Sequence, residues 1–177
     1  AKQRGDFRSK TEPAVAAWKQ YLKAHPKGEF RDQALIGLSR LIPGDEGVAY
    51  LTELVGKHKD SQLVPQALYE MAERQSAAGQ AQQALGNYRK LVEGFPQHEL
   101  APAGRYGLAW SLFELEKFAE SAQALDAVVG AKNAEHELKL ASLELQIWAH
   151  QKAQNPQGAA KAFIDAYFEK FPGIRAF

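Results

Sequence analysis

The residues best able to do chemistry near neutral pH are five histidines, His25, His58, His98, His136 and His150, which could serve as general bases or metal ligands. Their spacing argues against both uses. No HExxH is present, the pattern that sets two ligands on one helix face. Glu135-His136-Glu137 directs consecutive side chains to different sides of a helix, which is poor geometry for a shared ion. His136 and His150 can share a helix face, but about 21 Å apart at 1.5 Å per residue. Neither GxSxG nor a glycine-rich phosphate loop occurs, and the glycines are scattered through turns and helices. Cysteine is absent, which removes disulfides, thiolate nucleophiles and cysteine-based zinc sites. Carboxylates such as Glu114 and Glu120 read as solvated helix faces. The expectation is a chain with no metal, no organic cofactor and no enzymatic turnover of its own.

A second kind of chemistry is recognition. Tyr106, Trp110 and Phe113 stand at offsets of four, three and seven, so they form one aromatic ridge along a helix. Amphipathic aromatics of this kind make interface hot spots. The same ridge would equally serve packing against a neighbouring helix.

The elements that must carry these residues are set by an internal repeat. Five thirteen-residue stretches superimpose: Ala14 to Pro26, Glu46 to His58, Ala84 to Pro96, Ser121 to Asn133 and Ala160 to Pro172. The first position is small in four of them, the fifth is Trp18, Tyr50, Tyr88, Leu125 or Ile164, and the ninth is Leu22, Leu54, Val92, Val129 or Phe168. Small, bulky and apolar at offsets of four is one stripe of an α-helix. Closing residues recur every 32, 38, 37 and 39 positions, a period that belongs to helical repeat arrays. Between the stretches, DQALIGLS from Asp32, PQALYEMA from Pro65 and PAGRYGLA from Pro102 match one another as a second helix type. A further copy lies within Lys139 to Gln151 in an ambiguous register. Turn signals fall between the helices at Pro26 to Gly28, Pro43-Gly44, Gly79, Pro96, Asn155 to Gly158 and Pro172-Gly173. Pro65 and Pro102 sit near helix starts, where a missing N–H costs little. The fold expected is all-α, an α-solenoid of antiparallel helical hairpins with about nine helices. It forms one array over residues 1–177, with repeats near 11–26 (a half repeat), 29–58, 61–96, 99–133 and 136–172. Since one hairpin has too little apolar face to fold alone, Trp18, Tyr50, Tyr88, Leu125 and Ile164 are expected as wedges between helices.

Composition agrees. The chain has 177 residues, is 45% hydrophobic, and has a mean hydropathy of -0.42. With no long apolar run, a transmembrane helix is not expected. The net charge of +1 gives no global field for nucleic acid or an anionic membrane. Residues 1–31 do hold eight Lys/Arg against three Asp/Glu, which reads as a solvated basic first helix with a short lead-in.

These residues resemble the tetratricopeptide repeats. Ala84, Tyr88 and Pro96, like Ala14, Trp18 and Pro26, match that family's second helix, while Met71-Ala72 and Leu108-Ala109 occupy the places of its Leu-Gly pair. Glu46 and Ser121 depart from the pattern by replacing the small Ala. The long period and the phrases KDSQLVPQALYEMA and FPQHELAPAGRYGLA resemble the subclass found in bacterial cell-envelope proteins, such as the barrel-assembly lipoprotein and the Tol-Pal coordinator. The resemblance implies a superhelix whose inner face, lined by the first helix of each pair, holds an extended peptide or partner helix. By the family's pattern that face carries Gln33, Ile36 and Arg40, then Gln66, Tyr69, Glu73 and Ser76, then Ala103, Tyr106, Trp110, Phe113 and Glu114. Trp110 is then expected to face solvent and to carry little folding energy.

The function expected is a non-catalytic scaffold for another protein or peptide segment, with Arg40, Tyr69, Glu73, Tyr106, Trp110 and Phe113 as the partner-binding residues. Neither nucleic acid nor membrane insertion is expected. The envelope resemblance implies a periplasmic or cell-envelope setting in a bacterium, with the cytoplasm as the alternative. Two other classes stay open: an accessory array of a larger enzyme, such as a cell-wall lytic one, and a self-assembling structural array. At the chain ends, a half repeat at one side and an uncovered second-type helix at the other lead us to expect a continuing chain or self-association through the ends.

Overall fold

The computed structural model describes residues 2–171 of the chain, with side chains described from residue 11 onward. Among the described residues there are nine α-helices and no strand: α1 (Lys2–Ala24), α2 (Arg31–Leu41), α3 (Gly44–Lys57), α4 (Val64–Ala77), α5 (Ala81–Gly94), α6 (Ala101–Glu114), α7 (Phe118–Val129), α8 (His136–Lys152) and α9 (Pro156–Lys170). This is the expected all-α array of helical hairpins. The second-type stretches are α1, α3, α5, α7 and α9, and the first-type helices are α2, α4, α6 and α8. No described helix is long and apolar enough to cross a membrane. The expected turn at Pro172-Gly173 lies outside the described residues.

Tight turns close the hairpins. After α4, α6 and α8 the chain makes the same reversal, with Gln80, Lys117 and Asn155 donating backbone N–H bonds to the carbonyls of Gln75, Leu112 and His150 at 2.8 to 2.9 Å. The residue before each donor is left-handed: Gly79 at φ 71°, Glu116 at 60° and Gln154 at 56°. Glycine takes that conformation without penalty, whereas Glu116 and Gln154 take it against the clash of their Cβ atoms. Proline begins α9 where its missing N–H is harmless, and Asn155 accepts from the Gly158 N–H at 3.0 Å.

The chain divides into two compact units at Met71 and Ala72. In the first, Leu35, Ile36, Leu51, Leu54, Ala67 and Met71 form one core, with Leu22, Tyr50, Val55 and Leu63 packed against it. Ile36, expected on the inner face, is therefore a core residue, 5% exposed. Trp18 meets α2 at Gly37, where an added Cβ would stand 3.1 Å from the indole nitrogen. In α3 the first two places of the expected stripe shift by one residue, while its ninth place, Leu54, is buried as expected. Gly47 and Leu51 are buried in the small and bulky places, while Tyr50 is only partly buried. Glu46 is thereby left at the surface, where its carboxylate takes the Lys19 ammonium at 2.8 Å.

In the second unit each helix packs on the next from α5 to α9, and α6 also touches α8. Tyr88 is 1% exposed, and its ring lies flush on Gly107 of α6, where any Cβ would overlap it. One turn earlier, Gly104 is seated on Leu91 and Val92, with Leu91 Cδ2 2.7 Å from where a Cβ would be. The last turns of α4 are held to α5 by the Tyr88 hydroxyl, which donates to Glu73 Oε1, and by Asn87 Nδ2, which donates to Gln75 Oε1 at 2.8 Å. Ser121 explains its departure from alanine, since its buried hydroxyl donates to the Ala109 carbonyl of α6 at 2.8 Å. Gln146 of α8 likewise donates to the Ala122 carbonyl at 3.1 Å and to Asp126 Oδ1 at 2.7 Å. Leu125 is fully buried between Ala109 and Leu145. Ile164 is the most exposed of the expected wedges. It is 52% exposed, because no described helix lies over α9 in the place that α6 takes over α5.

Candidate binding face on helices α6 and α8

Each histidine has a local structural role. His58 Nδ1 stands 2.8 Å from Asp32 Oδ1, and the Arg31 Nε–H donates to His58 Nε2 at 3.4 Å, so the ring ties the end of α3 to the start of α2. Arg31 also holds Glu53 at 2.6 Å. His136 bridges α8 to Glu169 of α9 at 3.1 Å, His98 Nδ1 accepts from the Leu100 N–H at 3.1 Å, and His150 Nδ1 lies 3.2 Å from Asn155 Nδ2. His25 stacks near Tyr21 at 4.8 Å between ring centres. Among the described residues, no three His, Cys, Asp or Glu side chains converge as metal ligands would.

The aromatic row of α6 has two sides. Tyr106, Trp110 and Phe113 are all half-buried and pack against the core cluster of Ala109, Leu125 and Leu145. Trp110 stacks on Phe113 at 6.3 Å, and Phe113 meets Phe118 edge to face at 5.1 Å. Trp110 is thus more deeply packed than a solvent-facing residue, because the α6–α7 turn folds Phe118 back against the far end of the row. Burial raises the Tyr106 hydroxyl pKa above its ordinary 10.0, and the nearby Glu144 carboxylate of α8 raises it further.

Glu144 and Trp148 are four residues apart on α8 and so share a face. Both are exposed, Trp148 by 50%. Two residues missing from the sequence reading are thus placed on α8, Glu144 near Tyr106 and Trp148 on the same helix face as Glu144. The signal that could have found them was the 38-residue offset that carries Tyr106 to Glu144 and Trp110 to Trp148, hidden by the uncertain register of α8. Together these side chains offer apolar ring faces bordered by a carboxylate, an arrangement that accepts an apolar side chain and a cation together.

The other expected partner residues are placed differently. Arg40 lies in the first unit, where its guanidinium makes two bonds to Glu70 Oε1 at 2.5 and 3.0 Å. Tyr69 is half-buried on the same unit's part of α4. Glu73 belongs to the second unit and is engaged by the Tyr88 hydroxyl.

Comparison with known proteins bears on the fold. Residues 66–98, which span α4 and α5, match the tetratricopeptide repeat family model. No curated protein matches the chain. Among solved structures, a crystal structure of MamA is similar with a TM-score of 0.73 at 16% identity, covering 98% of this chain and 94% of that one. A second MamA structure is similar at 0.71 and 16%, covering 96% and 85%. The crystal structure of nearly identical TPR-like repeats from Podosopora anserina is similar at 0.65 and 20%, covering 95% and 89%. The fold is that of a tetratricopeptide-type helical array.

Proposed function

We propose that the chain is a non-catalytic protein-binding scaffold, and that the α6–α8 face of its second unit takes a partner segment carrying apolar side chains and a cation. The observation that carries this reading is half-exposed Tyr106 near Glu144, on two first-type helices that touch and that also carry Trp110 and the exposed Trp148. Side chains with an apolar body and a polar edge give the largest contact area for the least ordering cost. Glu144 would select a Lys or Arg on the partner and set its register. The tetratricopeptide-type fold supports a binding role in general. Arg40 and Tyr69 belong to the other unit and are not part of this face.

Selection of random peptides on the chain tests the proposal. Selected peptides should combine aromatic or aliphatic residues with Lys or Arg, and Tyr106→Ala or Trp148→Ala should weaken them at least tenfold. Gln123→Ala, at an exposed position on α7, should leave them unchanged. Peptides indifferent to both aromatic substitutions would rule this face out.

The setting we propose is the bacterial cell envelope, supported by the 37- to 39-residue spacing of the later repeats. Fractionation of the host cell with an antibody to the chain tests that assignment, and recovery in the cytoplasm alone would reject it.

A further inference from the structure

The reversals after α4, α6 and α8 make the same hydrogen bond at Gln80, Lys117 and Asn155, so their residues can be compared place by place. The reversal after α6 carries a pair of rings across it. Phe113, four residues before the donor, meets Phe118, the residue after it, edge to face at 5.1 Å. The same two places hold Ser76 and Ala81 after α4, and Gln151 and Pro156 after α8. Two of the three reversals therefore close without such a pair, and closing the turn does not require it. What the rings add lies one place further back. Trp110 stacks on Phe113 at 6.3 Å between ring centres, within the range of an offset aromatic pair. Its counterpart on α8, Trp148, has Gln151 where Trp110 has Phe113, and it stands 50% exposed whereas Trp110 is half-buried. Phe118 itself stands on fixed backbone. The Lys117 N–H donates to the Leu112 carbonyl at 2.9 Å and the Glu116 N–H to the Phe113 carbonyl at 3.0 Å. One turn into α7, the Ser121 hydroxyl ties the helix to the Ala109 carbonyl at 2.8 Å.

We propose that Phe118 is a positioning residue for the α6–α8 face: through Phe113 it holds the Trp110 ring in one orientation before a partner arrives. The inference rests on the reading of that face as a partner-binding surface. Phe118 acts on the partner only through Trp110. A ring that is already ordered loses little rotamer freedom on binding, which raises affinity without any new contact.

The probe is a peptide selected on the parent chain and chosen because Tyr106→Ala weakens it. Its affinity is measured for Phe118→Ala, Trp110→Ala and the double variant, a cycle that isolates the coupling between the two positions. Phe118→Ala alone should weaken the peptide by about two- to tenfold, the cost of ordering one side chain at an interface. In the Trp110→Ala background the same substitution should change affinity by less than about twofold, since no ring is left to hold. Phe118→Tyr keeps a ring and should bind as the parent does. Fluorine NMR of the free chain labelled with fluorotryptophan reads the orientation itself, the Trp110 line being assigned by its loss in Trp110→Phe. That line should be single and sharp in the parent and in Phe118→Tyr, and broadened or split in Phe118→Ala. Should Phe118→Ala lower the helical signal, Phe118→Leu, which keeps apolar bulk and removes the ring edge, takes its place with the same outcomes expected. Equal weakening in both backgrounds would make Phe118 a support of the fold alone and overturn the proposal. So would unchanged affinity in Phe118→Ala, or an unaltered Trp110 line. Those results leave the reading of the face standing, because the peptide still depends on Tyr106. If no selected peptide depends on Tyr106, the reading of the face fails and the proposal falls with it.

Discussion

Removing the Tyr88 ring would open a cavity over Gly107, because a glycine backbone has no side chain with which to fill the space. Tyr88→Ala should therefore destabilise the fold by about 3 to 5 kcal/mol, the range for deleting a buried aromatic ring. Trp110 covers the Ala109–Leu125–Leu145 cluster with one side only, so Trp110→Ala should cost about 1 to 2 kcal/mol through partial loss of burial. Denaturant melts of the two variants check the order, and equal losses would show that Trp110 is as much core as Tyr88. Tyr106 allows a test by pH. Its folded pKa lies above the unfolded value of about 10, through burial and then through Glu144. The associated stability is fully present below pH 10 and is lost as pH rises through the raised folded value. In absorbance titration Tyr106→Phe should remove one tyrosine that ionises later than a free one, and its stability should fall less steeply above pH 10 than the parent's. Trp110 and Trp148 show the limit of reading at this scale. Helical spacing places a side chain on a stripe, but how much of a large ring its neighbours cover depends on turns such as the one that brings Phe118 onto Phe113.

At the scale of elements, the reversals after α4, α6 and α8 share one hydrogen-bond pattern but not one residue type. Gly79 suits the left-handed position and Glu116 does not. Glu116→Gly should raise stability by about 0.5 to 1 kcal/mol, since relief of Cβ strain outweighs the added freedom of the unfolded chain. A thermal melt is sufficient to see it, and a lower melting temperature would show that the Glu116 side chain contributes more than its strain removes. Helix positions and most turns were legible in the sequence because small, bulky and apolar residues recur at offsets of four. Two registers were not. In α3 the thirteen-residue alignment put Glu46 in the small place, whereas Gly47 fills it and Glu46 stays at the surface beside Lys19. In α8 the buried Gln146 breaks the apolar stripe, because its amide reaches the Ala122 carbonyl and Asp126, contacts that no periodicity encodes.

For the whole molecule, the tetratricopeptide-type fold sets how its side chains are distributed. An array built from pairwise helix contacts distributes its side chains along surfaces rather than around one centre. Its fold was readable from the repeat, while the candidate site was readable only on α6. The α8 half required the contact between two helices separated by one helix, α7, and the exposure of α9 required knowing that Ile164 lacks the cover its counterparts have.

The wedges and their receiving positions are not alike from one repeat to the next. In the second unit Tyr88 meets Gly107, whereas Leu125 meets Leu145. A stack that slipped by one hairpin would press the Tyr88 ring into a leucine and leave Leu125 over an empty glycine, one contact overfilled and the other hollow. Near-identical hairpins are otherwise free to pair out of order during folding. Unequal partners of this kind act as keys that admit one order of assembly, so what looks like decay of the repeat is the information that keeps its copies in sequence.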